Sequence, residues 1–332
     1  MPELRYLLLP GFDPAFNLAA EQYVFDALPR DRSYLLLWQN DRAVIVGKYQ
    51  NTLAEINKRY VDEQGIRVVR RLSGGGAVYH DLGNLNYTFI LDAANAETLD
   101  LQLFCLPVVR ALEALGLHAE LNGRNDISIG GKKISGNAQY LRGGRLMHHG
   151  TLLFDSDLSV VERALQVDEE KIRAKGLRSV RSRVTNIRPL LPQDRTLEEF
   201  RQSLLSHILA ENPGEPYRLT EEDLACVERL RRERYDCWDW NYGASPPCTL
   251  LKKRRVEGCG SVEAHIGLEH GRIVSLRFLG DFFSLEEPEA LAARFLGLRP
   301  EREAYAAALR DTEISRYFLG LDREGLLALL CE

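Results

Sequence analysis

A mixed α/β fold, in which helices pack on a mixed sheet and a small α+β domain follows, is predicted by three features of the sequence. Strand-like and helix-like segments alternate in the larger part of the chain without the regular rhythm of a nucleotide-binding βαβ series. A triple glycine, Gly74-Gly75-Gly76, falls between two strand-like runs and does not open a helix. Near Ser245-Pro246-Pro247 the helical pattern is lost, which divides the chain into residues 1–244 and residues 250–332. Two domains suit a chain of 332 residues.

Each element follows from local pattern. Residues 5–9 read as a strand, ended by Pro10-Gly11. From Pro14 the apolar positions Phe16, Ala19, Ala20, Tyr23, Val24 and Ala27 recur at helical spacing, with Asp13 as N-cap. That predicts an amphipathic helix on a sheet. Residues 34–38 and 43–47 flank Gln39-Asn40-Asp41-Arg42 and predict a hairpin, and Asn51-Thr52 caps a helix expected to run to about Gln64. A strand over 66–69 leads into the glycine loop and another over 86–90 leaves it. Residues 101–115 form a helix stopped by Gly116, short β segments fill 117–155, and a short helix covers 158–165. Thr196-Leu197-Glu198-Glu199 is a capping box opening a helix over 196–210, and a second helix spans 221–235. The aromatic cluster Cys237-Trp238-Asp239-Trp240-Asn241-Tyr242-Gly243 is expected to pack the domain boundary. Beyond it come an exposed strand end at Lys252-Lys253-Arg254-Arg255, a hairpin around Glu269-His270-Gly271, and helices over 288–298 and 301–309.

Composition narrows the function. A net charge of −5 argues against general binding of nucleic acid or an anionic membrane. No apolar run approaches the roughly 18 residues that span a bilayer, and no secretory leader is recognisable, so a cytoplasmic protein is expected. The six cysteines form no CxxC pair; they read as reduced thiols, and a zinc site is not expected. P-loop, dinucleotide-fingerprint and kinase signatures are all absent.

What remains is a set of unusual stretches. Three adjacent glycines cost more backbone entropy than a hairpin turn requires, and what they permit is close approach of main-chain N–H groups to a ligand. Arg70 and Arg71 at the entrance add donor forks suited to phosphate or carboxylate, so the loop is expected to close on an anion. Lys132 and Lys133 follow Gly130-Gly131; they read either as a basic hairpin tip or as one lysine, Lys133, turned into a cleft. Asn125-Asp126 suits ribose hydroxyls, a magnesium ion or a structural Asx turn. His148 and His149 open a strand and point to opposite faces, a poor chelate pair of which one is free to be exposed.

Together the segments RRLSGGGAVYHDLGNLNYTF, GRNDISIGGKKISGNA, HHGTLLFD, KGLRSVRSRVTN and CWDWNYG, in this order, resemble lipoate–protein ligases of the long, two-domain type. The resemblance implies a fold of the biotin/lipoate protein ligase and class II aminoacyl-tRNA synthetase type, with residues 1–244 as the catalytic lipoate- and ATP-binding domain and residues 250–332 as an α+β accessory domain. It implies ATP with Mg2+ as co-substrate and ion, lipoate as substrate, and no tightly bound prosthetic group. The implied reaction makes lipoyl-AMP and passes the lipoyl group to a lysine of lipoyl carrier domains, those of 2-oxo-acid dehydrogenase acyltransferases and the glycine cleavage H protein, by a monomer.

By position, Lys133 matches the family's essential lysine, between lipoyl carbonyl and phosphate, and Arg71 a nucleotide-contacting arginine. Gly76, Ala77, Val78 and Tyr79 match the backbone along ATP. Arg70, Ser73, Gly74, Gly75 and His149 are expected on the lipoate side, and Asp126 on the metal. Lys171, Arg173, Lys175, Arg178, Arg181 and Arg183 resemble the family's adenylate-binding loop. The alternatives are an octanoyl or lipoyl transferase of the same fold, for which no positioned cysteine nucleophile is evident, and an inactive carrier-domain binder, which would not need both the glycines and Lys133.

Overall fold

A computed structural model describes residues 3–93, 101–122, 125–165, 183–245, 248–280, 282 and 284–331. The strands are β1 (Leu4–Leu8), β2 (Ser33–Trp38), β3 (Ala43–Val46), β4 (Arg67–Arg70), β5 (Val78–His80), β6 (Asn84–Asp92), β7 (Ala119–Asn122), β8 (Asp126–Ile129), β9 (Lys132–Arg142), β10 (Arg145–Leu153), β11 (Gly214–Pro216), β12 (Cys248–Val256), β13 (Gly260–Glu269) and β14 (Arg272–Gly280). The α-helices are α1 (Pro14–Ala27), α2 (Thr52–Glu55), α3 (Lys58–Glu63), α4 (Leu101–Ala114), α5 (Leu158–Ala164), α6 (Leu197–Glu211), α7 (Glu221–Leu230), α8 (Pro288–Ala292), α9 (Arg302–Ala308) and α10 (Arg323–Cys331). Two compact units result, one of residues 1–48 and 65–237, the other of residues 49–64 and 238–332. Chain order alone had grouped 49–64 with the first of these.

The first unit is built on an eight-stranded mixed sheet ordered β11-β1-β2-β6-β10-β9-β8-β7. β1 pairs in parallel with β2 and β11, while β2–β6, β6–β10 and β10–β9 are antiparallel. Period-two alternation sends Leu35, Leu37, Leu85, Tyr87 and Leu152 into a core with Val108 and Leu112 of α4 and Phe200, Leu204 and Ile208 of α6. Phe154 stacks on Phe200 at 4.8 Å between centroids. The opposite face of β6 and β10 meets α1 through hydrogen bonds from Thr88 and His149 to Glu21.

Several expectations change here. Residues 34–38 and 43–46 are strands but not a hairpin: β2 is already paired on both sides by β1 and β6, and β3 lies between β4 and β5 in a separate three-stranded sheet. Asn17 donates to the Gln39 carbonyl at 2.7 Å and to Asn40 Oδ1 at 3.0 Å, holding the connection away from a hairpin path. The segment after Asn51 breaks at Ile56, and Asn57 caps a second helix through Tyr60 N–H. α1 is buried nearly all round, including Asn17, Glu21 and Gln22, because Asp223, Arg234 and Tyr235 partner its far side through Tyr23 and Gln22. The helix expected over 221–235 leaves α-geometry at Arg231 for a π-helical turn. Residues 288–298 are helical only from Pro288 to Phe295. The caps at Asp13 and Asn51 and the Thr196–Glu199 capping box form as their sequences dictate.

Both histidines of the adjacent pair are buried, on opposite faces of β10. His148 faces the core, stacked on Phe104 at 5.4 Å, and accepts at Nδ1 from Gln139 at 3.1 Å. Burial pushes its pKa down to about 3, with the neighbouring His149 adding to the effect. The unfolded chain therefore takes up the proton first as pH falls below the ordinary histidine value. Stability supplied by the neutral ring is complete above about pH 6.5 and falls below it, by on the order of 2 kcal/mol at pH 5. Thermal unfolding from pH 7 to pH 5 is expected to show a smaller drop in Tm for His148→Phe than for the unsubstituted chain; parallel drops would contradict this.

The second unit carries a three-stranded antiparallel sheet, β12-β13-β14. The turn expected at Glu269-His270-Gly271 forms, with His270 and Gly271 at φ 49° and 68°, the left-handed pair a tight hairpin requires. Its core gathers Val262, Ala264, Ile266, Phe295, Phe318 and Leu326 among others. Among the described residues no helix is long and apolar enough to cross a membrane.

Candidate active site

The triple-glycine segment connects β4 to β5, which are not neighbours: β3 lies between them, so the loop crosses the end of β3. The crossing is tight. A Cβ on Gly47 would stand 2.1 Å from the Gly75 carbonyl oxygen, and Gly75 itself sits at φ 93°. Gly47 and Gly75 are therefore glycines for steric reasons.

Arg71 holds the loop from inside. Its guanidinium donates to the carbonyls of Gly74 at 2.7 Å, Gly76 at 2.9 Å and Ile45 at 3.1 Å, and its Nε to Ser73 Oγ at 3.0 Å. Burial lowers its pKa to about 10, partly offset by Glu21, so it stays cationic at neutral pH. Arg70, pointing the other way along the strand, donates to the carbonyls of Gly47 and Lys48 and braces the exit of β3.

A buried chain of hydrogen bonds ties this loop to the large sheet. Ser73 Oγ donates to His149 Nε2 at 2.6 Å, and His149 Nδ1 donates to Glu21 Oε1 at 2.9 Å. Thr88 donates to the same carboxylate oxygen at 2.7 Å and accepts from Trp38 Nε1 at 3.0 Å. A serine, histidine and glutamate in line resemble a nucleophilic triad, but Ser73 is 1% exposed and its oxygen already accepts from Arg71. It positions the loop, its one proton given to His149 and its oxygen taken by Arg71.

The opposite wall comes from β8 and β9. Gly130 and Gly131, at φ 56° and 73°, make the turn between these strands. Lys132 is exposed, whereas Lys133 is half-buried, its Nζ 2.7 Å from Asp126 Oδ1. Gly136 leaves room for that ammonium, since a Cβ there would lie 2.7 Å from Nζ. The Lys133 backbone is fixed from the far side by its N–H to the Arg183 carbonyl and by its carbonyl from the Thr185 N–H. Asn125 clamps β9 through its side chain to the Asn137 carbonyl at 2.8 Å. Gly150 sits over Asn137 and Tyr87 so closely that a Cβ would come within 2.1 Å of Asn137 Oδ1.

These walls enclose a cleft of about 150 Å3. Of the residues singled out in the sequence, Arg71, Gly75, Gly76, Ala77, Val78, Asn125, Lys133 and His149 line it. Arg70, Ser73, Gly74, Tyr79 and Asp126 do not; Ser73 and Asp126 stand one contact behind it, on His149 and Lys133. The basic residues Lys171, Arg173, Lys175, Arg178 and Arg181 lie outside the described residues. Sequence reading missed Leu18, Trp38 and Ile45 in the lining and Glu21 behind it, and gave no role to His80, Asn86 and Thr151, which lie within the segments it singled out. Glu21 carried no signal, since a charge is what the outer face of the amphipathic helix expected there would show.

The cleft is polar at one end and apolar at the other. Backbone register sets Trp38 opposite Asn86, Asn86 opposite Thr151, and Asp126 opposite Gly136, with Gly136 N–H donating to Thr151 Oγ1 at 3.2 Å. Asn86 thus lies two strands from Gly136 and the Lys133 ammonium, about 10 Å at ordinary strand spacing. Among the described residues no three His, Cys, Asp or Glu side chains converge as a metal cluster, and no cysteine lines this cleft. A larger cleft of about 540 Å3, in the second unit between α3, β12 and α10, contains none of the motif residues.

Residues 13–209 match the lipoyl protein ligase A/B catalytic domain and residues 245–330 match the bacterial lipoate protein ligase C-terminus. The chain is 44% identical to the lipoate-protein ligase LplJ of Bacillus subtilis, over 96% of this chain and 97% of that one. It is 42% identical to lipoate–protein ligase 1 of Staphylococcus aureus, again over 96% and 97%. A bipartite lipoate protein ligase from Thermoplasma acidophilum, solved in a study that includes its E2 lipoyl domain, superposes with a TM-score of 0.64 at 32% identity, covering 74% of this chain and 98% of that one. A lipoate-protein ligase A bound with ATP gives 0.62 at 30% identity, covering 73% and 99%.

Proposed function

Since the chain belongs to the lipoate–protein ligase family, we propose that the cleft beneath its glycine loop is where lipoate and ATP are joined and the lipoyl group is handed to a protein lysine. The chain is an enzyme, a lipoate–protein ligase, and ATP and lipoate as its ligands are supported by ligase structures bound with each. The observation that carries the assignment of the site is the placement of one lysine ammonium, Lys133, across from a glycine loop at one end of a cleft whose other end is walled by Leu18, Trp38, Ile45 and Val78.

In the first step the lipoate carboxylate oxygen forms a bond to the α-phosphorus of ATP, and the bond from that phosphorus to the bridging oxygen of pyrophosphate breaks. Carboxylate and phosphate repel by about 4 kcal/mol at ~4 Å and an intermediate effective dielectric. Lys133 offsets that repulsion, donating to both partners and gaining strength as charge concentrates between them. Arg71 contributes from within the loop. Its fork takes the Gly74 and Gly76 carbonyls, and planar trans peptides then turn the N–H groups of Gly75 and Ala77 away from it, available to phosphate oxygens. The main chain of Gly76, Val78 and Tyr79 continues along the nucleotide, with the Val78 side chain in the cleft and that of Tyr79 outside its lining, and Arg70, Ser73, Gly74 and His149 hold the lipoate side in shape.

In the second step the neutral ε-amine of the acceptor lysine attacks the lipoyl carbonyl; AMP leaves with the C–O bonding pair, and the amine proton passes to solvent or phosphate. Orientation supplies most of the gain, because the anhydride is already activated.

Asp126 offers one carboxylate beside the lysine, the donor type a magnesium ion takes together with phosphate oxygens, so the residues fit that ion. When bound it would neutralise phosphate charge. The acceptors proposed are lipoyl domains of 2-oxo-acid dehydrogenase acyltransferases and the glycine cleavage H protein, served by a monomer in the cytoplasm.

The test is mass spectrometry of a purified unmodified lipoyl domain incubated with the chain. A lipoyl adduct on one lysine, requiring both ATP and lipoate, is expected. Modification from an acyl-carrier donor without ATP would replace the ligase with a transferase.

A further inference from the structure

Two buried N–H donors at the apolar end of the cleft have no acceptor among the described residues: His80 Nε2 and Asn86 Nδ2. Both residues line the cleft, at 3% and 2% exposure, beside Leu18, Trp38, Ile45 and Val78. The proton on His80 is fixed by a chain of partners. Asn17 Nδ2 donates to two carbonyls, of Gly11 and Gln39, so the Asn40 atom it also meets at 3.0 Å is the acceptor Oδ1. The other end of the Asn40 amide, Nδ2, then donates to His80 Nδ1 at 3.1 Å. Burial, with Arg71 and His149 adding, pushes the His80 pKa down to about 3, so the ring is neutral and its one proton sits on Nε2. Asn84 donates to Asn86 Oδ1 at 3.0 Å, so the nitrogen is the end of the Asn86 amide left without an acceptor, in a side chain that lines the cleft.

A buried donor without an acceptor is costly, and two at one end of a ligand cleft call for a ligand that brings weak acceptors there. Resting on the assignment of this cleft to lipoate, we propose that His80 and Asn86 determine acyl specificity by donating to the sulfur atoms of the dithiolane ring. With the carboxyl end at Lys133, the ring of a pentanoyl-linked dithiolane reaches Asn86, two strands away. The sulfurs are the only acceptors on that half of the molecule, and they are soft enough to sit among Trp38, Ile45 and Val78. A straight octanoyl chain leaves both donors unsatisfied.

The test compares three acids in ATP–pyrophosphate exchange: lipoate, octanoate and 5-cyclopentylpentanoate, which keeps the ring and loses the sulfur. The expected kcat/KM for lipoate exceeds that for the cyclopentyl acid by about five- to tenfold, mainly through KM. In Asn86→Leu and His80→Phe that ratio is expected to fall to within about twofold. Equal use of lipoate and 5-cyclopentylpentanoate by the unsubstituted chain overturns the proposal even if neither variant folds. Failure of the underlying site assignment is separate, and would show as lipoate-dependent exchange that survives Lys133→Ala.

Discussion

Lys133→Ala is expected to lower the rate of lipoyl-AMP formation by about 10^3-fold while moving the Tm by less than about 2 °C. The two halves of that expectation come from different facts. Lys133 is half-buried and its ion pair with Asp126 is about a third exposed on each side, so its removal costs the fold little. At the reacting centre the loss is large, because the ammonium is the cation that lines the cleft opposite the loop, and its deletion leaves the Asp126 carboxylate facing two further anions. Release of pyrophosphate with lipoate saturating is the readout. A loss below tenfold would remove Lys133 from the proposed chemistry.

Arg71→Met is expected to do the reverse in part: to destabilise the unliganded fold by about 3 kcal/mol, lowering Tm by roughly 6–12 °C, and to cut exchange by about 10^2-fold. Four acceptors, on Ile45, Ser73, Gly74 and Gly76, lose their donor at once in a buried place. Arg71→Lys is not expected to restore the Tm, since a single ammonium cannot reproduce a planar fork that reaches carbonyls on both sides of the loop. A variant with unchanged Tm and only a raised KM for ATP would make Arg71 a nucleotide contact and not the scaffold of the loop.

The contrast between these residues bears on what the sequence can disclose. Lys133 was half legible, since the residues alone left it between a basic hairpin tip and a lysine turned into a cleft and the fold puts it in the cleft lining, whereas the glycine loop stood out because three glycines are too costly for an ordinary turn. Asp13, Asn51 and Thr196 announced their helices because a cap is a local event. What stayed hidden was non-local. No pattern within residues 34–46 says that β2 spends both edges on β1 and β6, and so the hairpin expected there does not form. Equally, Trp38 and Asn86 belong to the site only because the register of β2, β6 and β10 lines them up beside His149 and Thr151, and Glu21 because α1 lies over that face and takes hydrogen bonds from Thr88 and His149. Arg71 shows the intermediate case, a residue found by sequence whose partners, four groups of its own unit, could be read only from the fold.

The central claim is that this chain activates lipoate as an adenylate in the cleft under the glycine loop. Isotopic exchange of pyrophosphate into ATP, run on the purified chain with no acceptor protein and with or without lipoate, tests it most directly. Exchange that requires lipoate is the predicted result. Absence of exchange, in a preparation that still acylates a lipoyl domain from another acyl donor, would contradict it.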